Sequence, residues 1–170
     1  MRLFVAVWPP PGVVEVLAGL QRPHAPGVRW TGPDQWHVTL RFLGPLEDAG
    51  TTEVAHRLAR LAAGPAEATL GPTTQRLGRS VLVIPVGGLD PLAAAVAGAT
   101  SGLGQAEARP FWGHLTLARA RGRGRRAEVP ASLAGAEVEG RWRVEEVALV
   151  RSHLRAHGAR YEIVAKVALA

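Results

Sequence analysis

The sequence predicts an α+β chain folded as two related lobes within a single domain, residues 1–170. Three observations carry that expectation. The order strand, helix, loop, strand is read in residues 2–43 and again in 80–118. The closing strands of the two halves hold nearly the same text, His37-Val38-Thr39-Leu40 and His114-Leu115-Thr116-Leu117, at an offset of 114 − 37 = 77 residues. A repeat this long points to paired lobes sharing a core, not to a solenoid array. Finally, 170 residues suffice without a covalent staple, since a chain of this size buries roughly 70% of its unfolded surface.

Each element has its own signal. Residues 2–7, Arg-Leu-Phe-Val-Ala-Val, form a short apolar run suited to a buried strand. Pro9-Pro10-Pro11 ends it and opens a helix on which Val13, Val14, Val16, Leu17 and Leu20 recur at helical spacing. Residues 22–35 are broken by prolines and glycines and read as loop, with a short strand at Val28–Trp30. Trp36 to Leu43 alternates as a strand and closes at Gly44-Pro45. A helix over 47–63 follows, then a strand at Ala66–Leu70. The second half sets a strand at Ser80–Val86, a helix capped by Asp90 and running to Leu103, and an alternating strand at Phe111–Ala118. Arg121 to Arg126 reads as an exposed, solvated linker. Two last strands, Trp142–Arg151 and Arg160–Leu169, turn at Gly158.

Composition narrows the function classes. A hydrophobic fraction of 47% with 20% charged residues is that of a globular chain. No apolar run approaches the ~20 residues of a membrane-spanning helix, and Leu3 to Trp8 is too short for a leader, so the cytoplasm is the expected compartment. With no cysteine there is no thiolate nucleophile, disulfide or Cys-ligated metal. A net charge of +6 favours a polyanionic partner, although 19 of the 20 basic residues are Arg, as GC-rich codon usage would also give.

The repeated His-x-Thr-Leu is the informative feature. With six His, nine Thr and 20 Leu in the chain, two such matches arise by accident with a probability of roughly 1 in 1,600. In a strand, alternate side chains share a face, so each His stands about 6.5–7 Å from its Thr while the residues between anchor the core. Two imidazoles facing one another across a cleft suit acid–base catalysis near neutral pH. In-line displacement at phosphorus needs this two-sided arrangement. Hydroxyls from Thr39 and Thr116 and a nearby Arg would hold the nonbridging oxygens.

These residues resemble the 2H phosphoesterases, and among them the RNA 2′,3′-cyclic phosphodiesterases also known as 2′–5′ RNA ligases. The resemblance rests on residues 2–7, on Trp36 to Gly44, on His114-Leu115-Thr116-Leu117-Ala118-Arg119, and more weakly on Leu149 to Ser152 and Gly158 to Tyr161. Gly113 departs from the family's usual Pro before the second His. The resemblance implies two pseudo-symmetric lobes of antiparallel sheet with outer helices and a central cleft carrying both motifs. It implies metal-independent hydrolysis of an RNA 2′,3′-cyclic phosphate to a 2′-phosphate, without cofactor, with His37 as proton donor and His114 as proton acceptor. Reversal would join RNA ends by a 2′–5′ linkage without ATP. RNA ending in a cyclic phosphate, tRNA fragments among them, is the implied partner of a monomeric enzyme.

Resemblance places Arg119 on the phosphate, whereas simple alternation gives Arg119 the core parity of Leu115 and favours Arg41, which shares the parity of His37. By the same parity Trp36 and Phe42 point into the core. Trp30 and Trp112 are further candidates for base stacking. His153 and His157 are four apart but sit beside a predicted turn, with no carboxylate at ligand spacing, so no metal site is expected; His24 and His56 read as surface residues. Two other functions compete with the leading one: a phosphodiesterase on 2′–5′ oligonucleotides or small cyclic nucleotides, and an RNA- or nucleotide-binding module without turnover.

Overall fold

The computed structural model describes residues 2–122 and 128–170. Among these residues ten strands and three α-helices follow in the order β1 (Arg2–Val7), α1 (Pro11–Ala18), β2 (Val28–Trp30), β3 (Val38–Gly44), α2 (Asp48–Leu58), β4 (Ala66–Leu70), β5 (Gln75–Leu77), β6 (Val81–Gly87), α3 (Asp90–Ala99), β7 (His114–Ala120), β8 (Gly140–Val144), β9 (Glu146–Arg155) and β10 (Gly158–Ala168). All strand pairings are antiparallel, in the order β10-β9-β1-β3-β7-β6-β4-β8, with β2 against β7 and β5 against β6. This is the expected α+β architecture.

The middle of that order makes the cleft. β1–β3 and β6–β7 are paired over most of their lengths, but β3 meets β7 only through Val38 and Leu115. Those two residues hold equivalent places in the two motifs. Equivalent residues pairing with each other is what a local twofold axis through an antiparallel ladder requires. β3 starts at this pair and β7 one residue before it, so the antiparallel strands overlap only at their N-terminal ends and run away from each other.

The main core lies between the sheet and its helices. Leu17 of α1, Val96 of α3, Trp36, Leu40, Leu89 and Leu115 are all buried there. The helices tie the halves together, because α1 packs on β8 while α3 packs on β3. β1 is central and buried on both faces: Leu3, Val5 and Val7 enter the main core, whereas Phe4 and Ala6 join Ala148 and Val150 in a second cluster on the opposite side. No helix is long and apolar enough to cross a membrane among the described residues.

Several expectations need correction. The strand read as Trp142–Arg151 is two strands. β8 pairs with β4 in one half and β9 with β1 in the other, so the chain changes partners at Glu145. α2 stops at Leu58 and α3 at Ala99, each short of its predicted end. β5 was not anticipated; its residues Gln75, Arg76 and Leu77 are all exposed and show no alternation.

Arg41 is the most consequential correction. In the β1–β3 register Val5 lies opposite Arg41 and Ala6 opposite Thr39, which leaves Leu40 as an extra, bulged residue. The bulge inverts the parity that follows it. Arg41 therefore turns away from the cleft into a buried site, where Nη1 donates to the carbonyl of Ala97 at 2.9 Å and Nη2 to that of Leu103 at 3.1 Å. Its charge thus satisfies carbonyls at the C-terminal end of α3 and just beyond, where a cation is favoured. Arg41→Ala is expected to lower unfolding free energy by about 2–4 kcal/mol, leaving buried carbonyls unpaired, with turnover per folded molecule unchanged. Urea unfolding beside active-site titration checks both halves of that statement.

Candidate active site

One bulge turns Arg41 in; its counterpart turns Arg119 out. In the β6–β7 register Leu82 pairs with Ala118 and Val83 with Thr116, so Leu117 is the extra residue. Leu40 and Leu117 are as far apart in sequence as the two histidines. The second bulge buries Ala118 and puts Arg119 on the cleft face with His114 and Thr116. By the same rule the first bulge puts Phe42 in the cleft, 42% exposed, where alternation had placed it in the core. Thr31 holds the second bulge. Its N–H donates to the Leu117 carbonyl at 2.8 Å, and its hydroxyl is shared between the carbonyls of Thr116 and Leu117. That hydroxyl also accepts from the indole N–H of buried Trp36 at 3.0 Å, so the residue beside His37 braces the strand carrying Arg119.

The bulged strands line a cavity of about 680 Å³ that contains His37, Thr39, His114, Thr116 and Arg119. All five site residues expected from the sequence thus lie in one space.

The histidines are held identically. Nδ1 of His37 lies 2.8 Å from the carbonyl of Gln35, and Nδ1 of His114 lies 2.8 Å from that of Trp112, two residues back in each case. A carbonyl only accepts, so Nδ1 carries hydrogen in both rings. Nε2 is then the nitrogen free to exchange a proton.

Their surroundings differ. The His37 ring lies against Phe4, Trp8 and Tyr161, with centroids 5.1, 5.1 and 5.0 Å away. Burial in this aromatic enclosure pushes its pKa down to about 4; the Gln35 carbonyl opposes the shift, while Arg119 and His114 add to it. His37 is therefore neutral in the empty cleft at pH 7. Burial also raises the pKa of Tyr161, keeping a neutral hydroxyl at the cavity wall. His114 has only Trp112 stacked on it, at 5.1 Å, and that indole is 43% exposed.

The aromatic enclosure was not legible beforehand. Phe4 belongs to a strand whose two buried faces hide any alternation, Trp8 lies one residue beyond that strand, and Tyr161 comes from the far end of the chain. Gly113 has a packing reason: a Cβ there would come within 2.2 Å of the Val86 carbonyl oxygen, so the close approach to β6 admits little beyond glycine. His153 instead contacts Glu162 at 2.9 Å in the β9–β10 hairpin, and no group of three potential metal ligands occurs among the described residues. Of the expected basic linker, Arg121 reaches the cavity; residues 123–127 lie outside the described residues.

Known proteins are similar to this chain along nearly its whole length. Residues 7–72 match the family model described as LigT like phosphoesterase. An RNA 2′,3′-cyclic phosphodiesterase of Thermus thermophilus is 36% identical over 188 aligned positions, covering 99% of this chain and 90% of that protein. The crystal structure of TT0787, also from Thermus thermophilus, superposes with a TM-score of 0.76 at 31% identity, covering 99% and 98% of the two chains. LigT of E. coli complexed with 3′-AMP gives 0.78 at 25% identity, over 99% and 97%. With both His-x-Thr strands facing one cleft and a relative this similar along its full length, the chain belongs to the LigT-like phosphoesterases of the two-histidine (2H) family.

Proposed function

We propose that this protein hydrolyses 2′,3′-cyclic phosphate ends of RNA to 2′-phosphomonoesters by two-histidine acid–base catalysis. The observation that carries the reading is the matched pair of imidazoles, each with Nδ1 fixed by a carbonyl and Nε2 free, in one cavity with two threonine hydroxyls and an arginine. In the proposed step His114 Nε2 takes a proton from water as its oxygen attacks phosphorus. The bond from phosphorus to O3′ breaks, and O3′ takes a proton from Nε2 of protonated His37. One water is consumed, and proton exchange with solvent resets the pair. Thr39 and Thr116 donate to the nonbridging oxygens, and Arg119 offsets their charge. An RNA 5′-hydroxyl replacing water would give a 2′–5′ linkage without ATP. The working unit is the single domain 1–170, acting as a cytoplasmic monomer on RNA such as tRNA fragments.

A donor role requires His37 to gain a proton on binding, because burial leaves it neutral when the cleft is empty. A bound phosphodiester supplies the negative charge that favours this. The low pKa in the empty cleft favours the reverse reading, with His37 as acceptor and His114 as donor, and a substrate whose leaving group needs no protonation separates the two. Activity itself is tested on a short RNA ending in a 2′,3′-cyclic phosphate, with EDTA present. A 2′-phosphate product is expected; no turnover would pass the site to small cyclic nucleotides or to binding without catalysis.

A further inference from the structure

The cavity extends past the histidines to a second group of arginines that the proposed chemistry leaves unused. β2 lies beside β7 in a register that sets Arg29 directly opposite Arg119. Like charges directly opposite on neighbouring strands repel, unless an anion lies between them. Both side chains line the cavity, with Arg121 and Arg155 beside them. Among the described residues, no carboxylate forms a salt bridge with any of the four.

Arg29 is not a loose surface cation. It is half-buried, and its guanidinium lies against the backbone of the β9–β10 turn at Gly158. A Cβ at that position would fall on the guanidinium itself, within 2.3 Å of Cζ. The turn is tied down nearby, where Gln35 Nε2 donates to the Ala159 carbonyl at 3.1 Å. A fixed, unpaired, half-buried charge beside a second one is arranged for an anion, since a buried charge without a counter-charge is costly.

We propose that Arg29, assisted by Arg121 and Arg155, binds a second phosphate of the substrate, adjacent to the reacting phosphate at Arg119. This rests on the cyclic phosphodiesterase reading. The site selects substrates that carry a phosphate on the 5′ side of the terminal nucleoside. Either an internucleotide phosphate or the 5′-phosphate of a mononucleotide supplies that chemistry.

The test compares kcat/KM for three substrates at fixed low salt: a nucleoside 2′,3′-cyclic phosphate, the same compound with a 5′-phosphate, and a dinucleotide with a cyclic end. The wild type is expected to prefer a second phosphate about 10- to 100-fold, on the scale of one or two charge-assisted hydrogen bonds. Arg29→Gln should bring that ratio close to 1, through KM, and Arg29→Lys should keep part of it. Preference for both two-phosphate substrates makes any second phosphate sufficient; preference for the dinucleotide alone identifies the internucleotide phosphate. A ratio unchanged in Arg29→Gln overturns the proposal. Equilibrium binding of adenosine 3′,5′-bisphosphate against 3′-AMP, in wild type and Arg29→Gln, reads the same subsite without turnover. Absence of hydrolysis with this binding preference intact would sink the catalytic reading and leave the subsite standing.

Discussion

Replacing either histidine with alanine is expected to lower kcat on a 2′,3′-cyclic phosphate end by about 10²- to 10⁴-fold, the usual worth of a positioned acid or base. The double variant should be little slower than the worse single one, because two groups acting in one step do not contribute independently. The folded state should persist in both, since each imidazole is fixed by one backbone hydrogen bond at the cavity wall. A p-nitrophenyl phosphodiester then separates the roles. Its leaving group departs without protonation, so the variant lacking the donor should recover on this substrate, while the variant lacking the acceptor should not. Recovery by His37→Ala supports His37 as donor; recovery by His114→Ala reverses the assignment. Near-wild-type rates in either variant on the cyclic phosphate would defeat two-histidine catalysis.

Acidification is expected to cost the empty protein about 3 kcal/mol of stability through His37 alone between pH 6.5 and 4. The sign follows from where the protons go. The pKa of this histidine is about 6.5 in the unfolded chain and about 4 in the fold, so between those values the unfolded state binds the proton and the folded state does not. The stability contribution is complete above pH 6.5 and is lost as pH falls through 4. Urea unfolding at pH 7 and pH 4 measures it, and His37→Gln should lose about 3 kcal/mol less than wild type over the same interval. Equal losses in the two proteins would show that the aromatic enclosure does not hold His37 neutral. A bound 3′-nucleotide should raise the pKa again, and calorimetry near pH 5.5 in buffers of different ionisation enthalpy should detect net proton uptake.

Much of this protein was legible in its residues. Apolar runs and proline placement located β1, α1, β2 and β4 to within a residue or two, because these signals act over one turn or a few strand residues. The two His-x-Thr texts picked out the imidazoles that share one cavity, because period-two alternation puts His and Thr on one face whatever the strand pairs with. The aromatic wall around His37, the division of the last strands at Glu145 and the placement of the arginines depended on partners distant in sequence.

Arg41 and Arg119 show the limit most clearly. Each was assigned a face by counting in twos, and both counts failed at a bulge, at Leu40 and at Leu117. A bulge is a mismatch of register between neighbouring strands and has no signature in either strand alone. The chain by itself determined which groups are present and their local spacing. The tertiary structure decided which arginine faces the cleft, because only the pairing of β3 with β1 and of β7 with β6 sets where parity is inverted.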